Sequence, residues 1–230
     1  KYLVKFSDAE ASVNRINVTF SGTIQDDTIN KRINFDIAYK SKTFPLPDAL
    51  ALVPPSYQFY LKGVSANGTA SSDGKITGYY SDNQYPLMDL HILLQDGTLK
   101  YEGFPMLLNN LKGDCIFYSD LTSDVLTYFR INSCSGNTPK SSFSTSGIVT
   151  HLFSDIHCDL TSQVNLNLSE FAPMIPADMK MIVKGNASGQ VKSAFSMSQV
   201  EKMLIDRMRI SGSVGLSNFD VVYDSIMLKT

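Results

Sequence analysis

Residues 151–159 hold the densest set of groups able to do chemistry: His151, Asp155, His157, Cys158 and Asp159. With His91 they account for every histidine in the chain. A metal site would need several of them to converge on one ion. The local pattern opposes this. Ile156, Cys158 and Leu160 alternate with His157 and Asp159, so a strand here sends the His157 imidazole and the Cys158 thiol to opposite faces. The expectation is surface histidine on a strand, and no metal. Nucleophilic chemistry has no better footing. No serine lies in a Gly-x-Ser-x-Gly elbow, and Ser146-Gly147 and Ser211-Gly212 sit inside strand-like runs, where glycine marks a bulge or a close backbone approach. No glycine-rich loop ends in Gly-Lys-Ser/Thr. Asp26-Asp27 reads as a turn rather than an acid/base pair. The expectation is a chain that is not an enzyme and carries no cofactor. Asn17, Asn67, Asn167 and Asn186 open Asn-x-Ser/Thr sequons, which matter only in a glycosylating secretory pathway.

Composition narrows the class further. The chain has 230 residues, 43% of them apolar, which allows one large β domain or two small ones. Charged residues are only 18% and the net charge is −2, without the basic stripe of a nucleic-acid binder. No run of 18 apolar residues exists to span a membrane as a helix. Three cysteines are an odd number for a disulfide framework. Cys115 and Cys158 fall among strand-like residues and read as small buried hydrophobes; Cys134 falls at the start of a loop. Lys1 opens the sequence without an initiator Met, and strand-like alternation begins at Tyr2, so both ends read as cut from a longer protein.

The elements that would position any site are strands. Ile16, Val18 and Phe20 alternate, and after the Asp26–Asn30 turn Ile33, Phe35, Ile37 and Tyr39 alternate with Asn34, Asp36, Ala38 and Lys40, which predicts a hairpin. Residues 59–81 read as strands, with Asp73-Gly74 as a hairpin turn. Met88, Leu90, Ile92 and Leu94 alternate up to a second turn at Asp96-Gly97. Pro105–Leu108 reads as a connector, Leu111, Cys115 and Phe117 as a strand, Leu126–Ile131 as another, and Asn132–Ser142 as a loop. Strands resume at 143–149 and 156–168. Gln199–Met203 reads as a brief helix or turn, and 208–216 and 219–222 as two last strands.

One stretch occurs twice. Leu46-Pro47-Asp48-Ala49-Leu50-Ala51-Leu52-Val53-Pro54 superposes, at an offset of 122, on Leu168-Ser169-Glu170-Phe171-Ala172-Pro173-Met174-Ile175-Pro176, and Lys62-Gly63 on Lys184-Gly185. Each copy starts with an acid in the first turn, carries an apolar stripe (Leu46, Leu50, Val53; Leu168, Phe171, Ile175) and ends at proline. These predict short helical lids at 46–54 and 168–176. Repetition argues for a fold built from two related β units, roughly 1–122 and 123–230, and Phe20-Ser21-Gly22-Thr23-Ile24 echoes Ile210-Ser211-Gly212-Ser213-Val214. The fold class predicted is all-β, mainly antiparallel, with a few short helices: a curved sheet of repeated units, open or closed. The candidate surface is apolar: Ile33, Phe35, Ile37, Tyr39, Met88, Leu90, Ile92, Leu94, Cys115 and Phe117. Periodicity alone leaves two alternatives, a closed sandwich core without ligand or an open sheet lining a groove, since both point every second residue inward.

The order of strand hairpin, Leu-Pro-Asp-x-Leu-x-x-Val-Pro at 46–54, Lys62-Gly63, Tyr85-Pro86-Leu87-Met88-Asp89 and Asp96-Gly97-x-Leu99-x-Tyr101 resembles the AsmA-like proteins of Gram-negative bacteria, especially large Bacteroidetes-type forms. Ser142-Phe143-Ser144-x-x-Gly147-x-Val149, Leu166-x-Leu168 and the second proline-ended lid share the likeness. The resemblance implies a periplasmic location, tethering to the inner membrane through a segment not in this sequence, and a role in outer-membrane biogenesis. It further implies a β groove that contacts or conducts phospholipid or another acyl lipid, with envelope proteins as partners.

Overall fold

Apolar residues alternate with polar ones along nearly the whole chain, and the backbone answers with one long antiparallel meander. The computed structural model describes residues 2–53, 58, 61–102, 104–120, 122–175, 180–223 and 226–229. The strands are β1 (Leu3–Val13), β2 (Ile16–Asp27), β3 (Arg32–Ser41), β4 (Phe44–Pro45), β5 (Val64–Tyr80), β6 (Leu87–Tyr101), β7 (Phe104–Ser119), β8 (Tyr128–Asn137), β9 (Ser142–Thr150), β10 (His157–Asn167), β11 (Met181–Ser196), β12 (Arg209–Tyr223) and β13 (Ile226–Lys229). Helical elements are α1 (Leu46–Leu50), a 3₁₀ segment at Leu168–Met174, α2 (Met197–Glu201) and a 3₁₀ turn at Ile205–Arg207. Every strand pairs with its chain neighbour in one sheet ordered β1-β2-β3-β5 and onward to β13, while the two-residue β4 pairs β5 off that path. The sheet is open: β1 and β13 are its two edges.

Local chemistry explains the turns. Asn14 and Arg15 both take positive φ (47° and 70°), the left-handed pair that closes a two-residue hairpin between β1 and β2. Asp155 accepts the Ser198 backbone N–H (2.9 Å) and hydroxyl (2.6 Å), fixing the start of α2, where Gln199 returns a bond to Ser196 in a capping box.

Several expected turns are strand interior. Asp73-Gly74 lies within β5 and Asp96-Gly97 within β6. Asp96 does adopt φ 50°, but it serves a bulge between Leu94 and Leu99 rather than a chain reversal. Pro105–Leu108 belongs to β7, and β8 runs on to Asn137, leaving only 138–141 as the turn. Cys134 is therefore inside β8. Serine and asparagine there alternate with Cys134 and Gly136, so polarity marks a solvated face and not a loop. The last two strands are one, β12, bent at Asn218 (φ 49°).

Two glycine positions recur as bending devices. Gly22 of β2 (φ 136°) and Gly147 of β9 (φ 153°) sit so close to the next strand that a Cβ would fall 1.9 Å from the Asp36 carbonyl oxygen and 2.1 Å from that of Asp159. Only glycine fits there. Gly68 of β5 (φ 122°) and Gly185 of β11 (φ 110°) each occupy a bulge, opposite the left-handed residues Asp96 and Asn218 respectively. This corrects the pairing of Lys62-Gly63 with Lys184-Gly185: Gly63 lies ahead of β5, whereas Gly185 is inside β11. The structural counterpart of Gly185 is Gly68.

The core is thin. Among the described residues the buried apolar side chains are Ile16, Ile37, Phe44, Ala66, Ala70, Leu111 and Ala187. Three of them, Ile16, Phe44 and Ala70, cluster with Val18 and Ala49 beneath α1. The chain exposes 14477 Å², against about 10,300 Å² expected of a compact monomer of its 25.4 kDa mass. That excess, with no second sheet among the described residues, rules out the closed sandwich.

Candidate functional site: an uncharged apolar face

Register places the apolar residues of successive strands side by side. One row runs Phe20, Tyr39, Gly74, Leu90, Phe117, Phe129, Val149, Cys158 and Phe195, each opposite the next across nine strands. The row one residue away, on the other face, runs Thr19, Lys40, Asp73, His91, Ile116, Arg130, Ile148, Asp159 and Ala194, ending at Arg209. The contrast holds beyond these rows. From β3 to β12, outside the bulges, the register puts no charged side chain on the first face.

All ten expected residues share that face. Ile33, Phe35, Ile37 and Tyr39 line it from β3, Met88, Leu90, Ile92 and Leu94 from β6, and Cys115 and Phe117 from β7. Only Ile37 is buried; the others are half-buried, apart from Ile33, which is exposed. Phe129, Val149, Leu160, Val164 and Phe195 join them from β8 to β11, although they were not singled out in the sequence. The signal of Val149, Leu160 and Val164 was present in the 143–168 alternation, diluted by serine and threonine at neighbouring positions.

Two groups of polar atoms on this face are hydrogen-bonded. The Tyr39 hydroxyl bonds Ser72 Oγ at 2.6 Å, and Ser72 Oγ donates to the His91 carbonyl at 2.8 Å. Thr145 Oγ1 and Ser162 Oγ are 2.9 Å apart. Burial pushes the Tyr39 hydroxyl's pKa up, the Ser72 bond partly opposing it. All three thiols lie here and are free. Burial raises Cys134 and Cys158, and it pushes Cys115 up to about 11, with Cys134 and Asp114 adding to the rise. Apolar surroundings disfavour the thiolate at all three.

From β3 to β12, outside the bulges, charged side chains lie on the opposite face. His91 Nε2 lies 3.0 Å from Asp114 and its Nδ1 3.4 Å from Asp73. A hydrogen bond from Asn132 (2.8 Å) holds the Asp114 carboxyl below the ordinary range, with His91 contributing. Each ring nitrogen of His91 is thus directed at a different carboxylate. His157 and Cys158 fall on opposite faces of β10. Asp124 is taken by Phe153 N–H (3.0 Å) and the Ser154 hydroxyl (2.5 Å). Among the described residues no group of three or more His, Cys, Asp or Glu could hold a metal ion. No helix among them is long and apolar enough to cross a membrane.

The repeated segments 46–53 and 168–175 lie at the same end of the sheet, each at the far end of the strand it follows; Pro54 and Pro176 fall outside the described residues. The first is α-helical over Leu46–Leu50 and the second 3₁₀ over Leu168–Met174. Leu46, Leu50, Val53, Leu168, Phe171 and Ile175 are all half-buried. Phe171 packs on Phe104 of β7, ring centroids 6.3 Å apart, although β7 is three strands away from β10. The segment therefore reaches back across the sheet end.

The acids of these segments do something the sequence did not disclose. In elements this short, a dipole interaction is a minor role. Asp48 is 5% exposed and pairs with Arg15 of the β1–β2 turn. Glu170 accepts from the Thr138 hydroxyl (2.6 Å), the Lys140 N–H (2.7 Å) and the Ser141 hydroxyl (2.5 Å), all in the β8–β9 turn. Burial alone would raise the Glu170 pKa; the Ser141, Thr138 and Lys140 contacts outweigh it and hold the carboxyl below its usual range. Each acid pins its segment to the hairpin turn two strands back. Comparison with protein-family models, with curated proteins and with solved structures found no match.

Proposed function

We propose that this chain is a non-enzymatic, AsmA-like periplasmic module, tethered to the inner membrane, whose apolar face holds or conducts lipid acyl chains during outer-membrane biogenesis. The observation supporting the reading is the uncharged face from β3 to β12 on a sheet that nothing in the structure closes. Soluble monomers seldom leave a continuous apolar surface of more than a few hundred Å² uncovered unless it binds something. The row from Phe20 to Phe195 crosses eight strand spacings, about 38 Å at ~4.8 Å each. That exceeds the ~15 Å half-thickness of a bilayer's hydrocarbon core, so several acyl chains fit along it. Each methylene taken from water contributes about 0.8 kcal/mol. From β3 to β12, outside the bulges, the face has no charge to read a headgroup, which leaves headgroups in solvent beyond its rim. The test is organic extraction of the purified, folded protein followed by lipid mass spectrometry. Stoichiometric acyl lipid is expected. Repeated absence of both co-purified and transferable lipid overturns the reading.

A further inference from the structure

The β2–β3, β5–β6, β7–β8, β9–β10 and β11–β12 connections all lie at one end of the sheet. Each exposes a large apolar side chain: Ile29, Tyr85, Val125 with Leu126, Phe153 and Met203 are 43% to 87% exposed. The hairpin turns at the other end expose Arg15, Glu102 and Lys140 instead. Tyr85, Val125, Leu126 and Phe153 sit on turns flanked on both sides by paired strands, so their exposure owes nothing to either edge of the sheet. Hydrogen bonds hold these turns in shape. The buried Thr127 hydroxyl donates to the Asp120 carbonyl (2.8 Å) and accepts the Asp120 N–H (3.1 Å), closing the β7–β8 turn that carries Val125 and Leu126. Asp124 of that turn accepts the Phe153 N–H and the Ser154 hydroxyl of the next, and Asp155 accepts from Ser198 at the start of α2. Three successive connections are thereby tied into one rim, whose ordered backbone presents apolar tips to solvent.

We infer that this rim docks on the surface of a zwitterionic phospholipid bilayer, with the tips of the 81–86, 120–127 and 151–156 turns inserted among the headgroups and upper acyl chains. Successive turns lie two strands apart, about 10 Å at ~4.8 Å per strand, so the apolar tips form a row of separate points with polar residues between them. A protein interface has a continuous packed core, and a protein partner would need a separate pocket for each point. A fluid bilayer closes around each point without one. Tyr80 and Tyr85 meet edge to face, ring centroids 5.7 Å apart, and each joins an apolar body to a polar tip, which suits the headgroup level. Charge selects the lipid. The three turns hold Asp82, Asp120, Asp124 and Asp155 and no lysine or arginine. An anionic surface repels them, whereas the outermost ammonium of a choline or ethanolamine headgroup complements them. Docking requires no lipid on the apolar face, so the two readings stand or fall separately.

The test floats the full chain with phosphatidylcholine vesicles on a density gradient. The parent should float, and vesicles containing phosphatidylglycerol should bind it more weakly. The triple variant Val125→Ser, Leu126→Ser, Phe153→Ser, with folding checked by circular dichroism, should lose at least tenfold in apparent affinity. Leu52→Ser, at an exposed site on the opposite end of the sheet, should bind like the parent. A parent that floats but yields no acyl lipid on extraction overturns the function proposed above and leaves the docking standing. Failure to float overturns the inference and leaves a protein as the occupant of the tips. Binding strengthened by phosphatidylglycerol, undiminished in the triple variant, or reduced as much by Leu52→Ser also overturns it.

Discussion

The Cys115 thiol offers a sharp reading of how dry the apolar face is. Burial, then the nearby Cys134 and Asp114, raise its pKa from the ordinary 9.0 to about 11. Only the thiolate reacts with alkylating agents. At pH 8 the two-unit rise cuts the thiolate population about a hundredfold. The experiment is a pH series from 7 to 10 on the folded wild-type protein, with the Cys115 peptide read separately from those of Cys134 and Cys158. The assay is a timed iodoacetamide pulse, quench and peptide mass spectrometry, with the urea-unfolded chain as reference. The folded thiol should label about a hundred times more slowly at pH 8, and its rate should climb about tenfold per pH unit without levelling off by pH 10. The proton is held more tightly in the folded chain, so the stabilisation is complete below pH 9 and declines as pH rises from 9 toward 11. Labelling within threefold of the unfolded reference would refute the argument, since it would mean that water reaches Cys115 freely.

Three further perturbations separate the roles of named residues. Leu90→Asp, on the half-buried apolar row, should cost about 1–2 kcal/mol in urea denaturation, well short of the 3–5 kcal/mol expected of an unpaired charge in a closed core, while sharply reducing acyl-lipid binding. Gly147→Ala should cost about 1–3 kcal/mol, because its Cβ would strike the Asp159 carbonyl at a φ of 153°; a neutral midpoint would show that the strand is not pinched there. Glu170→Ala should cost about 1–2 kcal/mol and speed proteolysis within 168–175, and acid should mimic it. The Glu170 carboxyl is held below its ordinary 4.5, so its contribution is present above that pH and lost as pH falls through the lowered value.

Alternation made the all-β class and the apolar residues legible, because a period of two survives whatever the partner strand is. The lids were legible as short helical segments through their prolines and apolar spacing. Glycine and Asx were misread: Asp73-Gly74 and Asp96-Gly97 look like hairpin turns locally, yet Gly74 meets the Asp89 carbonyl of the next strand and Asp96 kinks β6. Only the pairing partner distinguishes a bulge from a turn. Asp48 and Glu170 looked like helix-dipole acids because their partners, Arg15 and the 138–141 turn, are 33 and about 30 residues away along the chain. Whether the sheet closed on itself could not be read from periodicity either; it is decided by what lies opposite the face.

If acyl chains lie on the uncharged face, a photoreactive lipid should mark that face and not the other. A phospholipid carrying a diazirine near the end of one acyl chain would be irradiated with the purified chain, and the adducts located by mass spectrometry. Saturable labelling is expected along Leu90, Phe117, Phe129 and Val149, competed by unlabelled lipid and lost in Leu90→Asp. Labelling along Lys40, Asp73 and Arg130 on the other face, or none that saturates, would contradict it.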